Sequence, residues 1–278
     1  MHSYAQTNIQ LFNQLRREGY SDTDLSLVRD GYELAMVLFT GRFQPSGKSF
    51  IAHVVGTASI LASLRLPPQL VAAGLIHNVY ENGDFGTGRS GISLGKRDEI
   101  RKTLGPEVEE YVARFAALFS TSPTAPTAHL ARNNPDKLAS VDRAALLILF
   151  AEGLEHLLDC DILYYGETVT RSCIDHSKIA AEIAEKLGLS ALGAELREAI
   201  REVESAELAV EPSGQRAPHS FVIAPKSCCK RFSVAAWQTM IYGAHKLHPE
   251  IRKVLRSLYV KCAKLLKSFS QPTQPLTR

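Results

Sequence analysis

The amino-acid sequence predicts an all-α protein, a bundle of helices followed by an additional basic helical pair. Three observations lead to this class. Apolar residues recur at helical spacing along most of the 278 residues, serine, glycine and proline residues stand at the expected helix ends, and no segment has a convincing strand pattern. We expect a helical domain over residues 1–210 and a C-terminal basic helical extension over residues 211–278.

The first half of the chain contains predicted helices with recognisable ends. The first carries Ile9, Phe12 and Leu15 on one face and stops at Gly19, after which Ser21 caps the second helix. Ser49 caps the third helix in the same way. The helices that follow the first are predicted over residues 22–39, 50–64, 68–77, 96–104 and 107–119.

The second half is also predicted to be helical. The helix from Val141 to Asp161 is strongly apolar, but Glu152, Glu155 and His156 interrupt its pattern. The preceding stretch, residues 120–136, contains three prolines and is expected to be a long connection without helical periodicity. The remaining helices are predicted over residues 175–187, 190–207, 232–245 and 249–269.

The composition is that of a soluble globular protein, with 45% hydrophobic and 22% charged residues. The longest uninterrupted apolar run, residues 144–151, is much shorter than the roughly 18 residues that a membrane-spanning helix needs. The N-terminus lacks the basic start and apolar core of a secretory signal. We therefore expect a cytoplasmic protein without a membrane span.

The net charge of +3 conceals a basic C-terminal segment. After His219 the chain contains eleven Lys or Arg residues and one acid, so this segment carries +10 and the preceding residues carry −7. Such a segment can bind nucleic acid or anionic lipid, but it can also dock on the acidic body of its own chain or of a second copy. We expect docking, which leaves a homo-oligomer open, and we do not expect nucleic acid binding as a main function.

Two histidines and an acid lie on three separate buried helices of the prediction. His53 lies on the third helix, His77 ends the apolar run of residues 71–76, and Glu152 interrupts the apolar helix of residues 141–161. Side chains from facing helices build metal sites inside helical bundles, and a buried polar group needs a partner. A histidine at the end of an apolar run is also compatible with a satisfied core residue, so both interpretations stand at this point.

Motifs around these residues resemble a known family. The stretch SGKSFIAH, which ends at His53, resembles the S-G-x-x-[FY]-I-x-H motif of the HD-superfamily hydrolase domain in the RelA/SpoT family of stringent-response alarmone enzymes. The stretch AAGLIHN, which ends at Asn78, resembles that family's A-A-x-L-L-H-D, and Glu81-Asn82 stands where the family has Glu-Asp. The resemblance extends over roughly residues 32–187 and implies an HD-domain-like helical bundle.

The resemblance implies a divalent metal, usually manganese in that family, held by two histidines and two aspartates. His53 and His77 match the two histidines, whereas Asn78 replaces one aspartate and Glu152 stands in place of the other. An amide oxygen is a weaker ligand than a carboxylate for a hard divalent cation. We expect manganese at these four residues, with iron or no metal as the alternatives.

The resemblance also implies a catalytic Glu-Asp pair that assists the attack of water on a phosphate ester. Glu81 remains as the candidate base, whereas Asn82 cannot transfer a proton at neutral pH. Asp84 is a candidate replacement for the missing acid if the loop after Asn82 folds back. These three residues form the predicted catalytic group.

Residues near this group predict an anionic small-molecule ligand. Arg42 and Lys48 flank Gln44, which falls about where the family carries an arginine, and Tyr80 follows the second histidine motif. These four residues are the candidate substrate-binding residues. The alternative for Arg42 and Lys48 is that they are solvated loop charges, and the alternative for Tyr80 is that it closes the core.

Three functions are compatible with these residues. The first is an HD-like metal-dependent hydrolase that acts on a phosphorylated or nucleotide-like small molecule. The second is a catalytically degenerate HD domain that serves as a ligand-binding or regulatory module, because Asn78 removes a ligand charge. The third is the two-iron oxidation chemistry of some relatives, which requires further histidines between the second and last ligand, where the chain offers only His129.

Overall fold

Helices make up the regular structure of the computed structural model, which describes residues 4–44, 46–86, 89–119, 131–165 and 167–206. Within these ranges the only β-type pairing is an isolated bridge between Phe43 and Ser49. The predicted all-α class is confirmed. The principal helices are α1 Asn8–Glu18, α2 Asp22–Phe39, α3 Phe50–Ser63, α4 Pro68–Ile76, α5 Val79–Asn82, α6 Leu94–Leu104, α7 Pro106–Phe119, α8 Ser140–Leu158, α9 Glu167–Lys186 and α10 Ser190–Ser205.

Helix ends follow from the local sequence. The side chains of Thr7, Ser21 and Ser49 cap α1, α2 and α3, each accepting a hydrogen bond from the backbone N–H group three residues further on. Helix α1 ends at Gly19, whose φ of 89° lies in the left-handed region that glycine adopts without strain. The predicted caps Ser21 and Ser49 and the predicted stop at Gly19 are confirmed.

Helix α4 is surrounded by other helices. It packs against α2, α3 and α7, and both α3 and α7 pack against α8. Every residue of α4 from Leu70 to Ile76 is buried, as expected for a helix that has neighbours on several sides. His77 and Asn78 follow directly, and the chain therefore delivers two polar side chains to the interior of the bundle.

A glycine allows α3 and α4 to approach each other closely. A Cβ atom at Gly74 would lie 2.6 Å from Leu61 Cδ1 and 3.3 Å from Ala58 Cα, and both of these residues belong to α3. Such distances are too short for packed carbon atoms. The missing side chain at Gly74 therefore permits the short separation between the helices that carry His53 and His77.

The loop between α2 and α3 makes a narrow turn. The Gln44 N–H group donates to the Lys48 carbonyl at 2.8 Å, and the Gly47 N–H group donates to the Gln44 carbonyl at 2.9 Å. Gly47 has a φ of 93°, which requires a residue without a Cβ atom or a strained one. The turn places Lys48 directly before the start of α3.

Three details of the predicted helices are wrong. Ile9 is 69% exposed, because α1 packs on α3 through the buried side chains of Leu11 and Leu15. Helix α9 begins at Glu167 and not at Asp175, since its first residues are mostly exposed and give little apolar periodicity. Helix α8 ends at Leu158 and a 3-10 helix, Asp161–Tyr165, follows it.

Several predicted elements lie outside the described residues. They include most of the connection at residues 120–136 and the whole C-terminal helical pair at residues 232–269. Among the helices of the described ranges, none has both the length and the apolar character needed to cross a membrane.

Candidate functional site

Donor atoms from three helical segments converge inside the bundle. His53 Nε2, on α3, lies 3.3 Å from Nε2 of His77, which follows the last residue of α4. Glu152 Oε1, on α8, lies 3.3 Å from His77 Nε2 and 3.9 Å from His53 Nε2. All three residues are buried. The structure thus brings together the three side chains that the sequence analysis places on separate helices.

Both imidazole rings make a hydrogen bond through their other nitrogen. His77 Nδ1 lies 2.8 Å from the Gly74 carbonyl oxygen, and His53 Nδ1 lies 2.6 Å from Glu155 Oε2. A carbonyl oxygen only accepts, so the neutral His77 ring carries its proton on Nδ1 and offers a lone pair on Nε2. Burial, together with nearby histidines, lowers the pKa of His53 well below its usual value, which keeps this ring neutral.

Glu152 supplies the negative charge of the cluster. Burial alone would raise the pKa of its carboxyl group, but the contact with His77 and the electrostatic effect of the neighbouring histidines, among them His156, lower it to about 2. Glu152 is therefore ionised at neutral pH although it is only 5% exposed. A buried carboxylate requires compensation by a cation or by hydrogen-bond donors.

The spacing of these donors suits one divalent cation. Ligands that lie 2.0–2.1 Å from a tetrahedral ion are about 3.4 Å apart, which is close to the observed 3.3–3.9 Å. Two imidazole nitrogens and one carboxylate oxygen are also a common donor set for catalytic zinc and non-haem iron. His53, His77 and Glu152 therefore fit a metal site. His129, on which the two-iron alternative depends, lies outside the described residues.

Asn78 lies among the same donors. Its Nδ2 atom lies 2.8 Å from His77 Nε2, 3.2 Å from Glu152 Oε1 and 3.4 Å from His53 Nε2. The amide N–H groups can therefore satisfy His77 and Glu152 by hydrogen bonds. A half-turn of the amide would present Oδ1 to the same point, because the two amide atoms occupy equivalent positions. Asn78 thus has the position expected of a ligand, with its nitrogen directed at the cluster.

Three residues beside the cluster were not assigned a role from the sequence: Glu155, His156 and Asp161. His156 Nδ1 lies 2.9 Å from both carboxylate oxygens of Asp161, and its ring centroid lies 4.8 Å from that of His53. Burial lowers the pKa of His156, but the hydrogen bond and charge of Asp161 outweigh this effect and raise it to about 9. The feature of the sequence that could have identified them is that Glu155 and His156 interrupt an otherwise apolar helix.

The predicted catalytic residues lie on α5 and in the loop that follows it. Glu81 is exposed, and the partly buried Asn82 donates its backbone N–H group to the Asn78 carbonyl at 2.9 Å. Asp84 Oδ2 lies 3.8 Å from Arg42 Nη2, and the Asp84 backbone N–H group donates to a carbonyl oxygen of α2 at 2.9 Å. These contacts hold Asp84 beside the end of α2.

Lys48 is paired within the protein. Its Nζ atom forms ion pairs with Glu155 Oε1 and Asp159 Oδ2, and its side chain is only 12% exposed. Its charge is therefore compensated by two acids of α8 and of the residue that follows it. The substrate-binding role predicted for Lys48 stays a prediction, and the ion pairs show that Lys48 is not a solvated loop charge.

Arg42 and Gln44 present buried polar atoms on the same loop. Gln44 is 5% exposed. Its Oε1 atom and the Nε atom of Arg42 have no hydrogen-bond partner within the part of the chain that the structure describes. Such groups are normally satisfied by protein, water or a ligand.

Tyr80 is a core residue. It is fully buried, and its hydroxyl group donates to Glu109 Oε1 on α7 at 2.7 Å. Burial and this hydrogen bond raise the pKa of Tyr80 above its usual value. Glu109 also accepts hydrogen bonds from Arg97 and Arg101. This placement favours the alternative in which Tyr80 closes the core.

Comparisons with known proteins give the following similarities. Residues 37–119 match a family described as a domain of unknown function (DUF6817). Over 185 residues, or 64% of this chain, the sequence is 24% identical to a GTP pyrophosphokinase of Myxococcus xanthus, of which the match covers 23%. Over 71 residues, or 26% of this chain, it is 31% identical to the bifunctional (p)ppGpp synthase/hydrolase RelA of Mycobacterium tuberculosis, of which it covers 10%. The chain thus spans less than a quarter of these relatives.

A solved structure is also similar, that of a protein described as a metazoan ortholog of SpoT that hydrolyzes ppGpp and plays a role in starvation responses. It covers 64% of this chain and 95% of its own, with 18% sequence identity and a TM-score of 0.45. The sequence similarity to a GTP pyrophosphokinase and to RelA confirms the resemblance to RelA/SpoT-type alarmone enzymes that the HD-like motifs predict.

Proposed function

We propose that this chain carries an HD-like, metal-dependent hydrolase centre that acts on a phosphorylated, nucleotide-like small molecule. The observation that carries the proposal is the convergence of His53 Nε2, His77 Nε2 and Glu152 Oε1 within 3.9 Å of one another. Packing of an apolar core does not by itself require three buried metal-binding side chains at one point. One relative is described as a (p)ppGpp synthase/hydrolase, which supports the reaction class.

The chain's own residues have distinct roles in this proposal. His53, His77 and Glu152 hold a divalent cation, and Asn78 is a fourth ligand through Oδ1 once its amide has turned. When bound, such a cation supplies Lewis-acid activation of water and of a phosphoryl oxygen. The Glu81 carboxylate accepts the proton that the attacking water loses.

Manganese is the metal that the resemblance implies. The donor set also suits zinc and iron, because imidazole nitrogens bind both of these metals well, whereas manganese favours oxygen ligands. Replacement of an aspartate by Asn78 removes one oxygen charge from the set. Metal analysis therefore has to include all three elements.

The ligand is expected to be anionic and to contact the loop between α2 and α3. Arg42 Nε is a buried donor and Gln44 Oε1 is a buried acceptor, each without a partner in the described part of the chain. Leaving such a group unsatisfied costs about 1–3 kcal/mol. A donor and an acceptor on one loop suit a molecule that combines phosphate with a nucleobase. The names GTP pyrophosphokinase and (p)ppGpp synthase/hydrolase support guanine nucleotides as the first ligands to test.

A second function, a ligand-binding or regulatory module, is favoured by the position of Asn78. Its Nδ2 atom lies 2.8 Å from His77 Nε2 and 3.2 Å from Glu152 Oε1, so hydrogen bonds can satisfy the cluster in place of an ion. The family's catalytic acid is also replaced by Asn82. In this function a nucleotide would bind through the loop of Arg42 and Gln44 without turnover.

Elemental analysis of the purified chain, combined with a phosphate- and pyrophosphate-release screen that includes ppGpp, tests the two functions. For a hydrolase we expect stoichiometric metal and a release that is lost in His77→Ala and after chelation. Glu99→Gln, which changes an exposed carboxylate on α6, is the matched control and should retain activity.

Binding of ppGpp without release of phosphate or pyrophosphate would favour the ligand-binding module. Release that survives both His77→Ala and Glu81→Gln would identify a contaminating enzyme and overturn the hydrolase proposal.

A further inference from the structure

Glu155 contacts two other segments through one buried carboxylate. Its Oε2 atom lies 2.6 Å from His53 Nδ1, and its Oε1 atom forms an ion pair with the Nζ atom of Lys48. The residue is only 2% exposed. A carboxylate at this depth needs a partner for each oxygen, and here the two partners come from α3 and from the loop before it.

We infer that Glu155 is a positioning residue that holds the His53 ring with its proton on Nδ1 and its Nε2 lone pair directed at His77 and Glu152. The inference itself concerns the tautomer and orientation of His53. It rests on the proposed function only for its consequence, which is tighter binding of a metal.

The chemical reason is the choice that a neutral imidazole ring has between two tautomers. The proton resides on the nitrogen that has the better acceptor beside it. Glu155 Oε2 at 2.6 Å is a charged acceptor and makes a short, strong hydrogen bond with His53 Nδ1. At the other nitrogen, His53 Nε2 faces the Asn78 amide nitrogen at 3.4 Å and the neutral acceptor His77 Nε2 at 3.3 Å, and the carboxylate oxygen Glu152 Oε1 is 3.9 Å away, beyond hydrogen-bond distance. Without Glu155, no charged acceptor would select the Nδ1-protonated form.

Lys48 keeps the Glu155 carboxylate in place. Its Nζ atom contacts Glu155 Oε1 and is itself paired with Asp159 Oδ2. Burial raises the pKa of Glu155, but the ammonium group of Lys48 opposes this effect and favours the ionised form, which is the form that accepts a hydrogen bond from His53. Lys48, which the sequence analysis predicts to bind substrate, thus contacts Glu155, and Glu155 in turn contacts His53 of the cluster.

Gly56 provides the space through which Glu155 reaches His53. It follows His53 by three residues on α3 and therefore lies on the same face of the helix. A Cβ atom at Gly56 would lie 2.8 Å from Glu155 Cγ and 2.9 Å from Glu155 Oε1, closer than non-bonded atoms pack. Glycine is otherwise unfavourable inside a helix, so the close passage of Glu155 gives a physical reason for glycine at this position.

Nitrogen NMR of the full chain labelled with nitrogen-15 histidine reads the tautomer directly and without metal. The His53 signals are assigned from their loss in His53→Gln. With a chelator present, we expect the wild type to show a protonated Nδ1 and an unprotonated Nε2. In Glu155→Gln, whose amide both donates and accepts, the Nε2-protonated form should appear. Thermal unfolding shows that each variant retains its fold.

Gly56→Ala tests the same relationship without changing a charge. The added methyl group should displace the Glu155 side chain and shift the His53 tautomer in the same direction as Glu155→Gln. Gly95→Ala is the matched control, since a Cβ atom at Gly95 on α6 meets no atom within 4 Å. Gly95→Ala should leave the His53 signals unchanged. If Glu155→Gln does not fold, the His53 tautomers of the wild type and of Gly56→Ala test the inference.

Metal titration supplies the second readout. Glu155→Gln and Gly56→Ala should each weaken manganese binding by about 10- to 100-fold, which is typical when a metal-binding histidine loses its outer partner, while Gly95→Ala should match the wild type. If the wild type binds no metal but both variants still shift the His53 tautomer, the positioning role of Glu155 is supported and the proposed hydrolase centre is excluded. An Nε2-protonated His53 in the wild type, or unchanged His53 signals in both variants, would overturn the inference.

Discussion

His53 Nε2 and His77 Nε2 lie 3.3 Å apart although 24 residues separate them in the chain. Their outer nitrogens are held by Glu155 and by the Gly74 carbonyl group. The two rings meet because α3 and α4 pack directly against each other. The geometry of the pair therefore depends on helix packing as well as on the histidines themselves, and variants of both kinds have measurable consequences.

Gly74→Ala is expected to destabilise the fold. Its Cβ atom would lie 2.6 Å from Leu61 Cδ1, and overpacking a filled core typically costs about 1–3 kcal/mol. This exceeds the gain of about 1 kcal/mol or less that alanine has over glycine in a helix. Urea unfolding should give a lower free energy of unfolding than the wild type. Gly95→Ala, at an open helical position, should be neutral or stabilising. Equal stability of Gly74→Ala and wild type would show that α3 and α4 separate without cost.

Asn78→Asp is expected to raise manganese affinity by about tenfold or more, because a carboxylate adds a full charge at coordination distance in a partly desolvated site. Isothermal titration with manganese measures the change. Asn13→Asp adds the same charge at an exposed position of α1 and should leave the affinity unchanged. An unaltered titration for Asn78→Asp would mean that position 78 does not contribute a ligand.

Glu81→Gln is expected to lower the turnover number by about 100-fold or more while the metal content stays the same, as for the loss of one general base. Steady-state phosphate release and elemental analysis measure the two quantities on the same preparation. Retained activity would assign the proton transfer to another group, whereas a loss of metal together with activity would indicate that Glu81 supports the metal and not the proton transfer.

Glu109→Gln is expected to lower the free energy of unfolding at neutral pH by about 1–3 kcal/mol. The fully buried Glu109 accepts hydrogen bonds from Tyr80 at 2.7 Å, from Arg97 at 2.6 Å and from Arg101 at 2.8 Å. A glutamine at this position cannot compensate the two guanidinium groups. Glu110→Gln, whose 57% exposed side chain also pairs with Arg97, is the control and should change stability by less than about 1 kcal/mol.

The effect of Glu109→Gln should also depend on pH. Burial raises the pKa of Glu109, but the hydrogen bonds and charges of Arg97, Tyr80 and Arg101 outweigh it and hold the pKa below its usual value of 4.5. A carboxylate with a lowered folded-state pKa stabilises the fold above the unfolded-state pKa and loses this contribution as the pH falls through the folded-state pKa. The stability difference between wild type and variant should be full at neutral pH and shrink below pH 4.5. A constant difference across this range would contradict the ionic role.

Local sequence features were sufficient to predict the helices that carry the cluster. Caps such as Ser21 and Ser49 act within one helical turn, and apolar periodicity reports which segments are buried. His53, His77 and Glu152 stood out because each places a polar group on a buried helix. Apolar periodicity did not predict the start of α9, because the first residues of that helix are mostly exposed. It also did not show that Leu11 and not Ile9 is buried, since this depends on how α1 packs on α3.

The sequence by itself determined the all-α class, the main helix ends and the motifs that resemble RelA/SpoT-type enzymes, because these depend on neighbours within a few residues. Only the tertiary structure decided the partners of the buried charges. Lys48 reaches Glu155 across 107 residues, and Tyr80 reaches Glu109 across 29. Such pairs form where packed helices present side chains to each other at short distance, a relation that the spacing of residues along the chain does not contain.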